Sequence, residues 1–164
     1  MLMQKITPCL WFDKQAEEAA NFYISVFSGS AFGGRIGNIS RYGKEGHAIH
    51  KMPEGLVMTV EFELAGQTFT ALNGGPVFKF NEAVSFQVYC DSQKEIDYFW
   101  GKLSADPKSE QCGWLKDKFG VSWQIVPTIL DELMSRDKSG NVMRIFLPMK
   151  KIDIAALKKA SEQG

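Results

Sequence analysis

The strongest constraint on the fold is an internal repeat, because a repeated unit fixes an architecture more tightly than any single motif. The stretch FDKQAEEAANF (12–22) aligns without gaps with CDSQKEIDYFW (90–100). Further along, GQTFTAL (66–72) aligns in the same way with GVSWQIV (120–126). The chain is therefore predicted to hold two related modules, each running strand, helix, strands, unless these cap and turn residues match by chance.

The first module spans residues 1–80 and combines strand alternation with one helical stretch. The apolar stripe of that helix recurs at helical spacing and comprises Ala16, Ala19, Ala20, Tyr23 and Phe27. The predicted elements are, in order, a strand over 6–12 whose Pro8 indicates a sheet edge or strand start, a helix over 14–27 with Asp13 as N-cap, a strand and a mobile loop within the Gly-rich residues 30–55, and a hairpin of 56–64 and 67–72.

The second module spans residues 83–127 and is shorter by roughly the Gly-rich segment of the first. A helical tail follows, whose short apolar helices are expected to pack on the sheet or on a second subunit. The predicted elements are, in order, a strand over 83–90, a helix over 92–104 with Asp91 as N-cap, a hairpin of 112–118 and 121–127 about Phe119-Gly120, a helical extension over 128–150 with Val142, Ile145, Phe146 and Met149 on one face, and a C-terminal helix within 151–164 capped by Asp153.

Composition excludes several classes of protein. Lysine plus arginine and aspartate plus glutamate number 19 each, and no basic stripe is present, so no nucleic-acid partner is expected. No run of about 18 apolar residues would cross a membrane, and the N-terminus lacks the features of a signal peptide, so a cytoplasmic protein is expected. Three cysteines without CxxC spacing predict reduced, mostly buried thiols.

Four segments closely resemble the PhnB-like family, which is often labelled 3-demethylubiquinone-9 3-methyltransferase, within the vicinal-oxygen-chelate superfamily of glyoxalase and bleomycin-resistance proteins. They are LWFDKQAEEAANFYISVF, NGGPVFKFNEAVSFQVYCD, CGWLKDKFGVSWQIVP and MKKIDIAAL. The resemblance implies an α+β fold in which two βαβββ modules form a U-shaped cleft of mixed sheets. It also implies one glyoxalase-like domain over residues 1–150 and, usually, a homodimer.

In metal-dependent relatives, the resemblance implies His, Glu or Gln ligands on the first and last strand of each module. The corresponding residues here are Pro8, Thr70, Phe86 and Gln124, and the neighbours Thr7, Ala71 and Ser85 are no better ligands. Proline has no side-chain donor and phenylalanine is apolar. One amide and one hydroxyl are too few for a catalytic divalent ion, which needs at least three protein ligands. We therefore expect no metal and no other cofactor.

Strand alternation sorts the residues of the expected cleft by face. The core side should hold Val60, Phe62, Leu64 and Phe69, and the cleft side should bind a small molecule through Leu10, Phe12, Thr59, Glu61, Thr70, Phe86, Val88, Ser122 and Gln124. Glu61 is a candidate general base, or a partner for a cationic or hydroxylated ligand. The alternative is that Glu61 and Glu63 form a solvated strand face.

Two further motifs give weaker signals. HAIH (47–50) is expected to lie in a solvated loop, with contact to a ligand as the alternative. GGRIG (33–37) follows a predicted helix and opens no helix, so it lacks the strand-to-helix context of a nucleotide site. The methyltransferase label of the family is therefore weak support for methyl transfer.

These observations predict a cytoplasmic, homodimeric protein that binds a small, partly apolar molecule without a metal. The alternative within the same cleft is an enzyme that uses Glu61 as a base, either in methyl transfer to a quinone-type substrate or as a lyase or isomerase. A third alternative is an interaction protein whose tail helices dock a partner. The fold does not decide among them, because this fold hosts binders and enzymes alike.

Overall fold

The computed structural model describes residues 4–163, which divide into two compact units, one up to Lys79 and one from Phe80 onward. This division falls close to the boundary predicted from the repeat. No helix among the described residues has both the length and the apolar character needed to span a membrane.

Unit one contains a four-stranded sheet in the order β1-β4-β3-β2, in which β1 runs parallel to β4 and the other pairs are antiparallel. The predicted edge position of the first strand is confirmed. The elements are β1 (Cys9–Phe12), α1 (Ala16–Ser28), β2 (Gly34–Arg41), α2 (His47–His50), β3 (Val57–Leu64) and β4 (Gln67–Asn73).

Unit two contains a three-stranded sheet in the order β5-β7-β6, again with a parallel pair, β5 and β7, that includes the first strand. Its module is βαββ within the described residues, because the strand that corresponds to β2 is missing. The elements are β5 (Ser85–Cys90), α3 (Gln93–Leu103), β6 (Trp114–Lys116), β7 (Ser122–Pro127), α4 (Leu130–Arg136), α5 (Asn141–Phe146) and α6 (Ile154–Glu162).

The internal repeat holds at the level of strand register. In unit one, Cys9 pairs with Thr70. The two sequence alignments, continued without gaps, place these positions over Gln87 and Gln124, and these two glutamines are paired in unit two. Gly66 and Gly120, which the repeat also aligns, both adopt positive φ, 81° and 86°. The repeat therefore reflects a shared backbone and not a chance match of turn residues.

The predicted apolar stripe of α1 forms the core of unit one. All five of its residues are buried, and β3 and β4 face them with Val60, Phe62, Leu64 and Phe69. The Phe62 ring stacks on Tyr23 at a centroid distance of 6.0 Å and on Phe69 at 5.3 Å. Burial of these aromatic and aliphatic side chains is the main stabilising contribution to the packing of the helix on the sheet.

Two predicted N-caps are wrong. Asp13 does not cap α1; the amide N–H of Ala16 donates to Asn73 Oδ1, from the end of β4, at 2.8 Å. Asp91 does not cap α3 either, because the N-cap is Ser92, whose hydroxyl accepts from the amide of Glu95. Helix starts are sensitive to one-residue shifts, and a cap supplied from another strand leaves no local sequence signal.

The tail helices belong to unit two and share a small core of Leu133, Val142, Ile152, Leu157 and Ala160. The side-chain amide of Gln93, at the start of α3, donates to Ile152 O and accepts from Ile154 N, each at 3.0 Å. The predicted cap Asp153 is confirmed, since it accepts from Ala156 N. The predicted apolar face of α5 is only partly correct, because Ile145 is exposed.

Candidate functional site

The candidate site lies on the face of the unit-one sheet that points away from α1. Because successive side chains of a strand alternate, this polar face carries the residues between the core positions of β3 and β4. They are Thr59, Glu61, Glu63, Thr68 and Thr70. Thr59, Glu61 and Thr70 were predicted to point away from the core, and they lie on this face. Their role in binding stays a prediction.

A cavity of about 460 Å³ opens on this polar face. A volume of this order suits a small organic molecule. Its lining comes from β2, β3, β4 and the segment before β1, and comprises Gln4, Thr7, Arg35, Ile36, Gly37, Glu61, Phe62, Glu63, Gly66, Thr68 and Thr70.

Three charged residues between 4 and 163 line the cavity, and two of them, Arg35 and Glu63, neutralise each other. Arg35 Nη2 lies 2.6 Å from Glu63 Oε2, across the antiparallel pairing of β2 and β3. The hydrogen bond from Arg35 lowers the pKa of the Glu63 carboxyl, so Glu63 stays ionised. Glu61, by contrast, has no side-chain hydrogen bond or ion pair with any residue between 4 and 163.

Gly37 lets the Glu61 carboxylate lie against β2. A Cβ atom at position 37 would lie 2.9 Å from Glu61 Oε1, closer than real Cβ atoms approach, and 3.1 Å from Glu61 O. The pairing of β2 with β3 also shifts between Ile36 and Ile39, as at a β-bulge. Bulges and strand glycines mark places where a sheet admits a close approach. Here the close approach is that of the carboxylate to the Gly37 backbone, and the Glu61 side chain is otherwise exposed.

Gln4 closes the cavity at the start of the chain. Its amide oxygen accepts from Thr68 N at 3.1 Å, and its amide nitrogen donates to Ile6 O at 2.6 Å. The Gln4 side chain therefore hydrogen-bonds to β4 at the place where the backbone of a longer β1 would pair with it. This contact fixes the segment that carries Thr7 into the lining.

The predicted facing of Leu10 and Phe12 is wrong. Leu10 pairs with Ala71 of β4, and both are buried on the α1 side of the sheet. Cys9 is the residue that shares a face with Thr70. Partial desolvation raises the pKa of the Cys9 thiol, so the thiol form is favoured. Apolar residues at three consecutive positions hide the alternation of this strand, and the register resolves it.

The same error affects β5 in unit two. Phe86 and Val88 pair with Trp123 and Ile125 of β7, so they belong to the apolar side of that sheet and not to the polar side as predicted. The Phe86 and Trp123 rings lie 5.5 Å apart, and Val88 and Ile125 are buried. The residues that share a face with Gln124 are Ser85, Gln87 and Ser122.

Gln124 sits in a chain of hydrogen bonds. Its amide nitrogen donates to Ser85 Oγ at 2.8 Å, and its amide oxygen accepts from Gln87 Nε2 at 3.4 Å. Tyr89 in turn donates to Gln87 Oε1 at 3.0 Å. Ser122 is buried beside this chain, and its hydroxyl has no partner among the described residues. The Gln124 amide is therefore hydrogen-bonded to other polar side chains of its own sheet.

The predicted ligand positions Pro8 and Phe86 are wrong by one residue, because Thr70 pairs with Cys9 and Gln124 pairs with Gln87. The paired positions still do not fit a catalytic divalent ion. Unit one offers the Cys9 thiol and the Thr70 hydroxyl there, and unit two offers two glutamine amides that bond to each other. Such ions are held by three or more thiolate, imidazole or carboxylate ligands. Between residues 4 and 163, no three His, Cys, Asp or Glu side chains cluster as metal ligands would.

HAIH forms one turn of helix, α2, and not the predicted loop. His50 Nδ1 accepts from Met52 N at 2.9 Å, and the other ring nitrogen lies 3.1 Å from Glu45 O. The ring also lies 4.6 Å from that of Tyr42. These contacts give His50 a role in holding the turn, and neither histidine lines the cavity.

The cysteines are free, as predicted, but only Cys90 is buried. Desolvation raises its pKa to about 12, so this thiol is a poor nucleophile.

The family model described as 3-demethylubiquinone-9 3-methyltransferase matches residues 4–126. The chain belongs to this family. The PhnB protein of Bacillus cereus is 38% identical, with a TM-score of 0.60 over 76% of this chain and 100% of that chain. A protein from Pseudomonas aeruginosa, 18% identical, shares the fold with a TM-score of 0.54 over 76% of this chain and 98% of that chain. No curated protein matches.

Membership confirms the PhnB-like resemblance, and the match to the Bacillus cereus structure supports the predicted α+β fold. The match ends at residue 126, so the helices α4 to α6 lie beyond it. GGRIG leads from α1 into β2, and both sheets of the described chain are mixed, so the structure offers no strand-to-helix glycine turn of the Rossmann type at that motif.

Sequence reasoning missed Arg35, Gly37 and Gln4 as parts of the site. Arg35 and Glu63 are 28 residues apart, and only the register of β2 against β3 brings them together. Gly37 lies in a glycine-rich stretch that predicts turns as readily as a bulge. The one usable signal was the alternation of GRIGNISR, which would have placed Arg35 and Gly37 on one face of a strand.

Proposed function

We propose that this PhnB-like protein binds a small organic molecule in the cavity on the polar face of the unit-one sheet, without a metal ion. The proposal rests on one observation, which is the 460 Å³ cavity whose lining keeps the Glu61 carboxylate unpaired. A carboxylate without a hydrogen-bonded counter-ion, set among hydroxyls in a cavity, is one of the placed polar groups by which a site can orient a ligand. The side chains at the paired strand positions are a thiol, a hydroxyl and two amides, which are poor ligands for a divalent ion, and this supports binding without a metal.

An enzymatic role for the same cavity is the second candidate. The unpaired Glu61 carboxylate favours it, because a general base must be accessible and not held by a cation. In that case Glu61 would abstract a proton from the bound substrate in a lyase, isomerase or transferase reaction. The Glu61→Gln change separates the two candidates: a binder loses only affinity, whereas an enzyme loses turnover while a bound substrate remains detectable.

The quaternary structure and location belong to the same proposal. We expect a homodimer, as the family resemblance implies, and a cytoplasmic location, as the sequence predicts. A homodimer would also provide cover for the exposed apolar side chains Ile6, Val77 and Phe78 of unit one.

Native mass spectrometry of the freshly purified, untagged protein tests these points together. We expect a dimer whose mass equals that of two polypeptides, with or without an organic adduct. A stoichiometric divalent ion on each subunit would refute the metal-free proposal. A monomer would refute the homodimer, and an adduct that persists in a Glu61→Gln protein would show that this carboxylate does not hold it.

A further inference from the structure

The geometry points to a ligand class: we infer that the unit-one cavity binds small organic monocations, above all protonated primary amines, in preference to neutral or anionic molecules of the same shape. The inference rests on the proposed function, since it concerns the ligand of that same cavity. It is carried by the charge of the lining, by the space beside Glu61 and by the uncharged remainder of the lining.

The charge of the lining favours one positive charge on the ligand. Among the described residues that line the cavity, Arg35, Glu61 and Glu63 are the charged ones. The Arg35–Glu63 pair has no net charge at a separation of 2.6 Å. The cavity therefore keeps one negative charge, on Glu61. A monocation restores neutrality, whereas an anion is repelled and a neutral molecule leaves the carboxylate without a counter-ion.

The space beside Glu61 lets a ligand replace the missing counter-ion. The carboxylate has no side-chain partner between residues 4 and 163, and the cation of the lining, Arg35, is directed to Glu63. Gly37 presents no side chain toward Glu61 Oε1, where a Cβ atom would be only 2.9 Å away. The carboxylate therefore lies against the bare backbone of Gly37, while the exposed side of Glu61 remains open to a ligand.

The uncharged lining suits an ammonium group. An ammonium group has three donors, and the hydroxyls of Thr68 and Thr70 stand beside Glu61 as further acceptors. Ile36 pairs with the core residue Phe62, so its side chain lies on the other face of the sheet and the surroundings of Glu61 are polar. A quaternary ammonium would leave the hydroxyls without a donor, so a protonated primary amine is the better match.

Titrations of the full-length, ¹⁵N-labelled protein with three probes of similar shape test this inference. The probes are 2-phenylethylamine, which is protonated at pH 7, neutral 2-phenylethanol, and anionic 3-phenylpropionate. Amide shifts report the place of binding and the Kd. A charge pair at about 4 Å in water-like surroundings changes Kd about 5-fold. We expect the amine to bind about 5-fold more tightly than the alcohol, with shifts at the cavity strands, and to lose this advantage at high salt.

Three variants separate the charge of Glu61 from other effects. Glu61→Gln keeps the shape and should abolish the preference for the amine. Arg35→Gln releases Glu63 and should tighten amine binding about 5-fold, because a second carboxylate becomes unpaired. Glu54→Gln, at an exposed glutamate outside the cavity lining, is the matched control and should change nothing.

The outcomes distinguish this inference from the proposed function. If the three probes bind the cavity equally, or the anion binds best, the preference for monocations is refuted while small-molecule binding stands. If the amine binds preferentially but Glu61→Gln keeps that preference, the assignment to Glu61 is refuted. If none of the probes shifts the cavity residues, both the monocation inference and the proposed function are overturned.

Discussion

Asn73 connects three parts of unit one, and its replacement by alanine should strongly destabilise the fold. The side chain is 1% exposed. Its Oδ1 accepts from Ala16 N at 2.8 Å, and its Nδ2 donates to Val57 O at 2.9 Å. One residue of β4 thereby satisfies the first amide of α1 and the first carbonyl of β3.

The magnitude follows from what Asn73→Ala leaves behind. Ala16 and Val57 are themselves buried, so water does not readily replace either bond. Each buried group without a partner costs about 1–3 kcal/mol, and the truncation adds a small cavity. We expect a loss of about 3–5 kcal/mol in the free energy of unfolding. For a chain of this size, that lowers the Tm by about 6–20 °C.

Thermal and urea unfolding of the full-length variant, followed by circular dichroism, measure this loss. The matched control is Asn21→Ala, at an exposed position of α1. Alanine is the better helix former there, so the control should be neutral or slightly stabilising. A difference between the two variants below about 0.5 kcal/mol would refute the argument that these two hydrogen bonds hold helix and sheet together.

Three more predictions concern turns and thiols. Gly74→Ala should lower the free energy of unfolding by about 1–3 kcal/mol and alter tryptophan fluorescence, because the alanine Cβ would lie 2.1 Å from Trp11 Cζ2 and the indole must move. An unchanged fluorescence spectrum and Tm would contradict this prediction. Asp117→Ala should lower the free energy of unfolding in urea by about 3–5 kcal/mol, because this buried carboxylate accepts from two backbone amides and one indole N–H. A loss below about 1 kcal/mol would argue against a stabilising role of these hydrogen bonds. With Ellman's reagent at pH 8, the exposed Cys9 thiol should react in the folded protein. Cys90 should react only after unfolding, because burial raises the pKa of its thiol to about 12. Equal reaction rates of the two thiols in the folded protein would refute the assigned burial.

The charge arrangement of the cavity also has a consequence for pH. The hydrogen bond from Arg35 lowers the pKa of Glu63 in the folded protein. A carboxyl whose folded pKa is depressed contributes stability above its unfolded pKa, and loses that contribution as the pH falls through the folded value. The same protonation would release Arg35 and remove the net negative charge of the cavity, so amine binding should weaken on acidification.

The repeat and the helix stripe were predictable because they depend on local periodicity. The two alignments relate the Cys9–Thr70 pair to the Gln87–Gln124 pair, and the structure has both pairs in the same register, one residue from the predicted Pro8 and Phe86. The stripe of α1 is equally local, since the helical period puts its members on one side of the helix wherever that helix packs. Such features need no knowledge of the neighbouring strands.

The face of β1 was not predictable in the same way. Alternation divides a strand into two sets of residues, but in LWF (10–12) both sets are apolar. Only the parallel pairing with β4 shows that Leu10 lies on the apolar side. The face of β5 could have been predicted, because SFQV (85–88) alternates polar and apolar residues and separates Phe86 and Val88 from Ser85 and Gln87.

Local patterns in the chain were enough to predict the two modules, the buried side of α1, the hairpins and the family. Three features of unit one emerged only from the assembled fold: Asn73 caps a helix 57 residues away, Arg35 neutralises Glu63, and the Glu61 carboxylate lies against Gly37. The physical reason is one of range. Periodicity is a property of a segment's own backbone, whereas capping from a distance, ion pairing and open space depend on which strands meet and in which register.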